Sequence, residues 1–179
     1  MADQQVQNLL SDAREVYGVF GKNQQALKIV DRALSLEPHN VEALNLKAAI
    51  LYDLDRDDEA KQLHLAALEN DPNSVEALQG LSALANDAGN YADAVTWADR
   101  GFEAIPNDTY TEFIENDDYR QRLIAELYNE KAFALWYLDR RAEAEELLTT
   151  TAPEACPLEV ESFEDQLDWL QEHPDNPEE

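Results

Sequence analysis

The chain has 179 residues, with 39 acidic side chains against 13 Lys and Arg, and a formal charge of −26. That length suits one domain or an elongated array, and a 44% hydrophobic content argues against wholesale disorder, which needs low hydrophobicity together with high charge. The acidity argues against direct binding to nucleic acid or to an anionic membrane, because both recruit a basic patch.

The start, Met1-Ala2-Asp3-Gln4-Gln5, lacks the basic and apolar regions of a signal peptide. No uncharged apolar run approaches the roughly 18 residues of a membrane span, so a soluble, cytoplasmic protein is expected. Leu10, Ala13, Tyr17 and Val19 then precede a break at Gly21-Lys22-Asn23. Ala26, Leu27, Val30, Ala33 and Leu34 follow at intervals of three and four, which keeps them on one helix face. Pro38 closes this helix pair, since proline cannot donate an amide to a continuing helix.

The pattern then repeats. Val41-Glu42-Ala43-Leu44 opens a second pair, broken at Asp55-Arg56-Asp57 and closed by Pro72. Val75-Glu76-Ala77-Leu78 opens a third, broken at Gly89-Asn90 and closed by Pro106. The three prolines lie 34 residues apart, and Ala26, Ala60 and Ala94 each stand 12 residues before one of them. A single helix pair cannot bury its apolar face, so stacking must supply the core. A fourth unit is displaced: Leu54-Asp55-Arg56 reappears as Leu138-Asp139-Arg140, 84 residues on and 16 more than two periods. The extra residues are placed at about 109–124. There Asn116-Asp117-Asp118 signals a helix start, with a short segment around Tyr110 to Ile114 before it and a long helix from about Asp118 to Leu138 after it. The fourth unit ends at Thr149-Thr150-Thr151-Ala152-Pro153. Val160, Phe163, Leu167 and Leu170 then mark one face of a last helix, suited to capping a stack.

These residues resemble the tetratricopeptide repeat, a 34-residue helix-turn-helix with small residues at the helix crossing and a closing proline. The resemblance implies an all-α, right-handed superhelical solenoid of antiparallel helix pairs with a C-terminal capping helix. Its units fall at about 7–40, 41–74 and 75–108, then the insertion at 109–124, a fourth unit at 125–153 and a capping helix at 158–172. All lie in one domain, 1–173, followed by a frayed acidic tail, 174–179. Arg14, Lys47, His64 and Ala98 depart from the residue types usual at their positions.

The resemblance also implies that the first helix of each unit lines a concave groove holding an extended peptide or a partner's helix. Spacing separates the faces. Leu44, Ala48, Leu51, Leu78, Leu81, Ala85, Tyr128, Ala132 and Leu135 are expected in the core. The groove is then expected to present a carboxylate row, Glu42, Glu76 and Glu126, and a carboxamide row, Asn45, Gln79 and Asn129. A third row is Tyr52, Asn86 and Trp136, flanked by Asp53, Asp87 and Tyr137. Ala49 and Ala83 leave space where unit four has Phe133. Carboxamides can pair with the backbone of any extended peptide, and carboxylates favour Lys or Arg in it. Phe133, Trp136 and Tyr137 would form an apolar anchor, unless the C-terminal helix docks on them within the same chain.

Nothing nominates catalysis. His39, His64 and His173 have no metal-ligand spacing, and no nucleophile elbow or phosphate-cradling glycine loop is present. With 39 carboxylates, acidic pairs such as Asp57-Asp58, Asp117-Asp118 and Glu145-Glu146 are unavoidable and read as solvated helix faces. Cys156, the single cysteine, has no basic neighbour to activate it. No cofactor or metal is expected. The function expected is therefore non-enzymatic: an adaptor, scaffold or small chaperone for a basic-to-neutral protein segment, with self-association through an uncapped N-terminal end left open. Tetratricopeptide clamps for acidic chaperone tails carry Lys and Arg in the groove, where this chain offers Ser11, Glu15, Asn45, Ala49, Gln79 and Ala83. Two other readings of the acidity stand beside this one: adaptation to a salt-loaded cytoplasm, and a decoy imitating nucleic acid toward a basic protein. From Ala142 to Glu179 there are 13 acidic residues and no Lys or Arg.

Overall fold

Each repeat turns back on itself through one residue in the left-handed region: Gly21 (φ 59°), Asp55 (φ 56°), Gly89 (φ 70°) and Asp139 (φ 60°). Glycine and Asp are the residue types that reach this region at least cost, so the turn is written into the sequence at these points. Their spacing is 34, 34 and 50 residues.

The computed structural model describes residues 2–108, 117–156 and 160–174. Ten α-helices connect these turns: α1 (Ala2–Arg14), α2 (Asn23–Leu36), α3 (Val41–Tyr52), α4 (Asp57–Asn70), α5 (Val75–Asp87), α6 (Tyr91–Ala104), α7 (Asp117–Tyr137), α8 (Arg141–Glu146), α9 (Ala152–Ala155) and α10 (Val160–Glu172). No strand occurs among the described residues. The helices pair as α1/α2, α3/α4, α5/α6 and α7/α8, and each pair stacks on the next. Ala26, Ala60 and Ala94 are fully buried where the paired helices cross, because a larger side chain would hold the backbones apart.

Local chemistry repeats with the fold. Asn40 and Ser74 cap α3 and α5, their side-chain oxygens accepting from the amides of Ala43 at 2.9 Å and Ala77 at 3.4 Å. Asp108, one period beyond Ser74, instead accepts from the Val75 amide at 2.8 Å and ties the end of the third unit to its start. Arg56 and Arg140 each grip the carboxylate three residues on, Glu59 and Glu143, with two hydrogen bonds of 2.6–2.7 Å.

Two features alter the regular plan. A π-helical turn over Glu15–Val19 ends the first helix of unit one, and the apolar Val19 within it is 73% exposed. The first helix of unit four, α7, has 21 residues where α3 has 12 and α5 has 13, and its longer N-terminal part buries Leu123 and Ile124. The segment expected around Tyr110 to Ile114 lies outside the described residues. At the other end α10 packs on α7, burying Phe163 and Leu170 and half-burying Leu167. Val6, Leu10, Val30, Ile50 and Leu51 head the N-terminal part of the core, and Leu78, Leu81, Leu127, Phe163 and Leu170 the C-terminal part. Among the described residues no helix is long and apolar enough to cross a membrane.

Candidate peptide-binding groove

The π-helical turn after α1 and the helices α3 and α5 meet on one side of the stack, and the start of α7 faces them. Between them lies a cavity of about 500 Å³. Its floor is made of small residues, Ala49, Gly80 and Ala83, as expected of the two alanines. Tyr17 and Tyr52 form one wall, Tyr119, Arg122 and Leu123 of α7 the other. Glu76, Gln79 and Glu126 also line it, so these three members of the expected rows do share one cavity.

The two tyrosines are held in place by the following repeat. The Tyr17 hydroxyl donates to Asp53 at 2.7 Å, and the Tyr52 hydroxyl donates to Asp87 at 2.5 Å. Burial, then these carboxylates, push both phenols well above their ordinary pKa, so they remain donors. The ladder gives Asp53 and Asp87 a positioning role. Glu42, at the N-terminal side, is engaged by Arg14 at 2.6 Å and by Gln7 at 3.4 Å.

Three of the expected groove residues lie inside the protein. Asn45 is 1% exposed and serves the core: its Nδ2 donates to Ser74 Oγ at 2.9 Å, and its Oδ1 lies 3.1 Å from His64 Nδ1. The reason is His64, an imidazole at a position the fold buries, which needs a partner there. Asn86 is likewise buried, donating from Nδ2 to the Glu130 carboxylate at 2.6 Å and to the Glu130 carbonyl at 2.9 Å. Trp136 is buried in the core beneath the Arg141 guanidinium, 5.3 Å from its ring centre, and supplies no exposed anchor. Each of the three faces the neighbouring helix rather than the open side. The core expectations are met at Leu44, Ala48, Leu51, Leu78, Leu81, Ala132 and Leu135, while Ala85 and Tyr128 are only half-buried.

At unit four the chain fills its own groove. Trp169 of α10 stacks on Phe133 with ring centres 5.7 Å apart, and Asn129 donates to Ser162 Oγ at 2.8 Å. The Tyr137 hydroxyl donates to the His173 carbonyl at 3.3 Å, and its ring stacks on Tyr91 at 5.3 Å. The aromatic group at Phe133 and Tyr137 is thus an internal docking site for α10.

Sequence reasoning marked His64 only as an unusual residue at its position, without its partner Asn45, and missed Glu130. His64 is 4% exposed, and burial lowers its pKa to about 4, so the imidazole is neutral at pH 7. With Nδ1 as the donor to Asn45, Nε2 is left as an acceptor beside Gly80, where a β-carbon would collide with it. A glycine in mid-helix opposite a histidine one unit-half earlier was the available signal. Glu130 is pushed up to about 7 by burial and by the carboxylates of Asp87 and Glu126, against the hydrogen bond from Asn86. No sequence pattern marks it among 39 carboxylates.

Residues 20–83 match the tetratricopeptide repeat family model. That segment carries the tetratricopeptide motif, and the helix pairs on either side of it repeat the same architecture. Among solved structures, PilF of Pseudomonas aeruginosa superposes with a TM-score of 0.75 at 14% identity, over 96% of this chain and 70% of that one. TTC0263, a thermophilic protein of the same repeat class from Thermus thermophilus, gives 0.69 at 20% identity over 92% and 80%. MamA of MSR-1 gives 0.52 at 12% identity over 84% and 72%. At these identities the likeness is one of fold. A sequence comparison with curated proteins finds no match. Tetratricopeptide arrays are protein-interaction scaffolds in general.

Proposed function

We propose that the protein is a non-enzymatic interaction module that takes an extended, basic-to-neutral segment of a partner protein into the cavity between Tyr17, α3, α5 and the start of α7. The observation that carries this reading is the small-residue floor of Ala49, Gly80 and Ala83 between tyrosine walls, with Glu76, Gln79 and Glu126 on the lining. Small residues leave room for a backbone, Gln79 offers it a donor and an acceptor, and the carboxylates favour a cationic guest. The aromatic ring of Phe133 is covered by Trp169 of α10, so the guest's backbone stops short of it.

The test is binding of labelled ten-residue peptides of positive, zero and negative net charge, measured by fluorescence anisotropy. Positive and neutral peptides are expected to bind, with Ala83→Trp filling the floor and lowering affinity at least tenfold in a variant that keeps its helicity. Equal binding by wild type and Ala83→Trp, or preference for the acidic peptide, would overturn the assignment.

A further inference from the structure

Beyond the Tyr52–Asp87 pair lies a second, smaller cavity of about 160 Å³, lined by Asn86, Asp87, Asn129, Glu130, Phe133 and Gln166. Its polar groups are unbalanced. Asn86 directs Nδ2 to the carboxylate and the carbonyl of Glu130, and its buried Oδ1 accepts from nothing among the described residues. Asn129 directs Nδ2 to Ser162, and its buried Oδ1 is also without a partner among them. Glu130 adds a carboxylate, and Asp87 adds another at the exposed edge, where it already accepts from Tyr52. Buried acceptors normally find donors, and here two amide oxygens and a carboxylate share one cavity without enough of them.

We propose that this cavity is a subsite for a primary alkylammonium, the side chain of a lysine in the bound segment. An ammonium has three donors and no acceptor, the complement of this lining. It is also a compact charge on a slim aliphatic stem, suited to a narrow cavity. Asn86, Asp87, Asn129, Glu130 and Gln166 also carry enough side-chain oxygens for a calcium ion, so calcium is the competing guest that the experiment separates. Burial, with the nearby carboxylates of Asp87 and Glu126, holds the Glu130 carboxyl up in the free protein, and an ammonium beside it opposes both, so capture of the ammonium ionises Glu130 and releases a proton. The assignment of the guest as a lysine of the partner rests on the groove reading above.

The experiment is an NMR titration of the full chain with n-butylammonium, following the side-chain amide resonances of Asn86 and Asn129, with n-butanol and calcium as separate arms. Saturable shifts with n-butylammonium and none with n-butanol are expected, together with proton uptake by the buffer near neutral pH. Glu130→Gln should weaken the effect at least tenfold. Equal shifts with n-butanol, shifts with calcium alone, or no saturable change would each overturn the subsite. Because no peptide is used, the outcome is separable from the groove reading. Ala83→Trp should abolish peptide binding yet leave the n-butylammonium response intact, and loss of either result alone identifies which assignment has failed.

Discussion

His64 and Glu130 titrate in opposite senses, and both are uncommon in a repeat whose motif positions are otherwise apolar or small. His64 has its pKa lowered from 6.5 to about 4 by burial. As pH falls through that window the unfolded chain takes up a proton that the folded one refuses, so stability is lost on acidification, by about 3 kcal/mol in full. Glu130 has its pKa raised from 4.5 to about 7, chiefly by burial. As pH rises through that window the unfolded chain gives up a proton that the folded one keeps, so stability is lost on going up, by a similar amount of about 3 kcal/mol. Between pH 4.5 and 6.5 the two slopes oppose each other. Glu130→Gln should therefore exceed wild type in urea-derived stability by about 3 kcal/mol near pH 8, with the gap closing toward pH 4.5. Parallel stability curves for the two proteins would contradict the burial of Glu130. Neither group was legible beforehand, because titration behaviour depends on what packs around a side chain and not on its neighbours in sequence.

At the scale of elements, the helix pairs were legible because Gly and Asp turn residues, Asn and Ser caps and closing prolines act within a few residues of chain. The groove rows were less so. Reading every third or fourth residue assigns a helix face to within about 100°, the angle between successive residues. Asn45, Asn86 and Trp136 lie on the margin between open face and core, and there the neighbouring helix decides. For Asn45 the decision is made by His64, and for Asn86 by Glu130 on α7. The last helix is a comparable case. Its apolar face was evident, but that it closes over Phe133 and Tyr137 depends on where the end of the stack leaves them. Phe163 is 1% exposed at this junction, and Phe163→Ala should lower stability by about 3–5 kcal/mol, with α10 amides losing hydrogen-exchange protection first. A loss below about 1 kcal/mol would mean that α10 is not packed on α7 as described.

For the whole molecule, −26 charges on 179 residues set up self-repulsion that added salt relieves. The Debye length shrinks from about 30 Å at 0.01 M to about 3 Å at 1 M, so the melting temperature should rise across that range. Each kcal/mol of relief corresponds to roughly 2–4 °C for a chain of this size. Affinity for a basic peptide should fall over the same range, since screening weakens attraction as well as repulsion. A melting temperature independent of salt would show that weakening ion pairs such as Arg14–Glu42, Lys47–Asp31 and Lys131–Asp99 costs as much as relief of the repulsion gains.

The sequence by itself determined the repeat, its period and the class of the fold, because these follow from turn residues, small residues at crossings and apolar spacing, all short-range. It also determined the acidic character on which the proposed preference for basic or neutral segments rests. Tertiary structure alone decided which of the expected groove residues face the opening, that α10 occupies the aromatic end, and that orphaned amide oxygens meet Glu130 in one cavity. Those outcomes join residues 19 to 44 positions apart, such as His64 with Asn45 and Asn86 with Glu130. Contacts of that kind arise from stacking one repeat on another, and no local pattern encodes them.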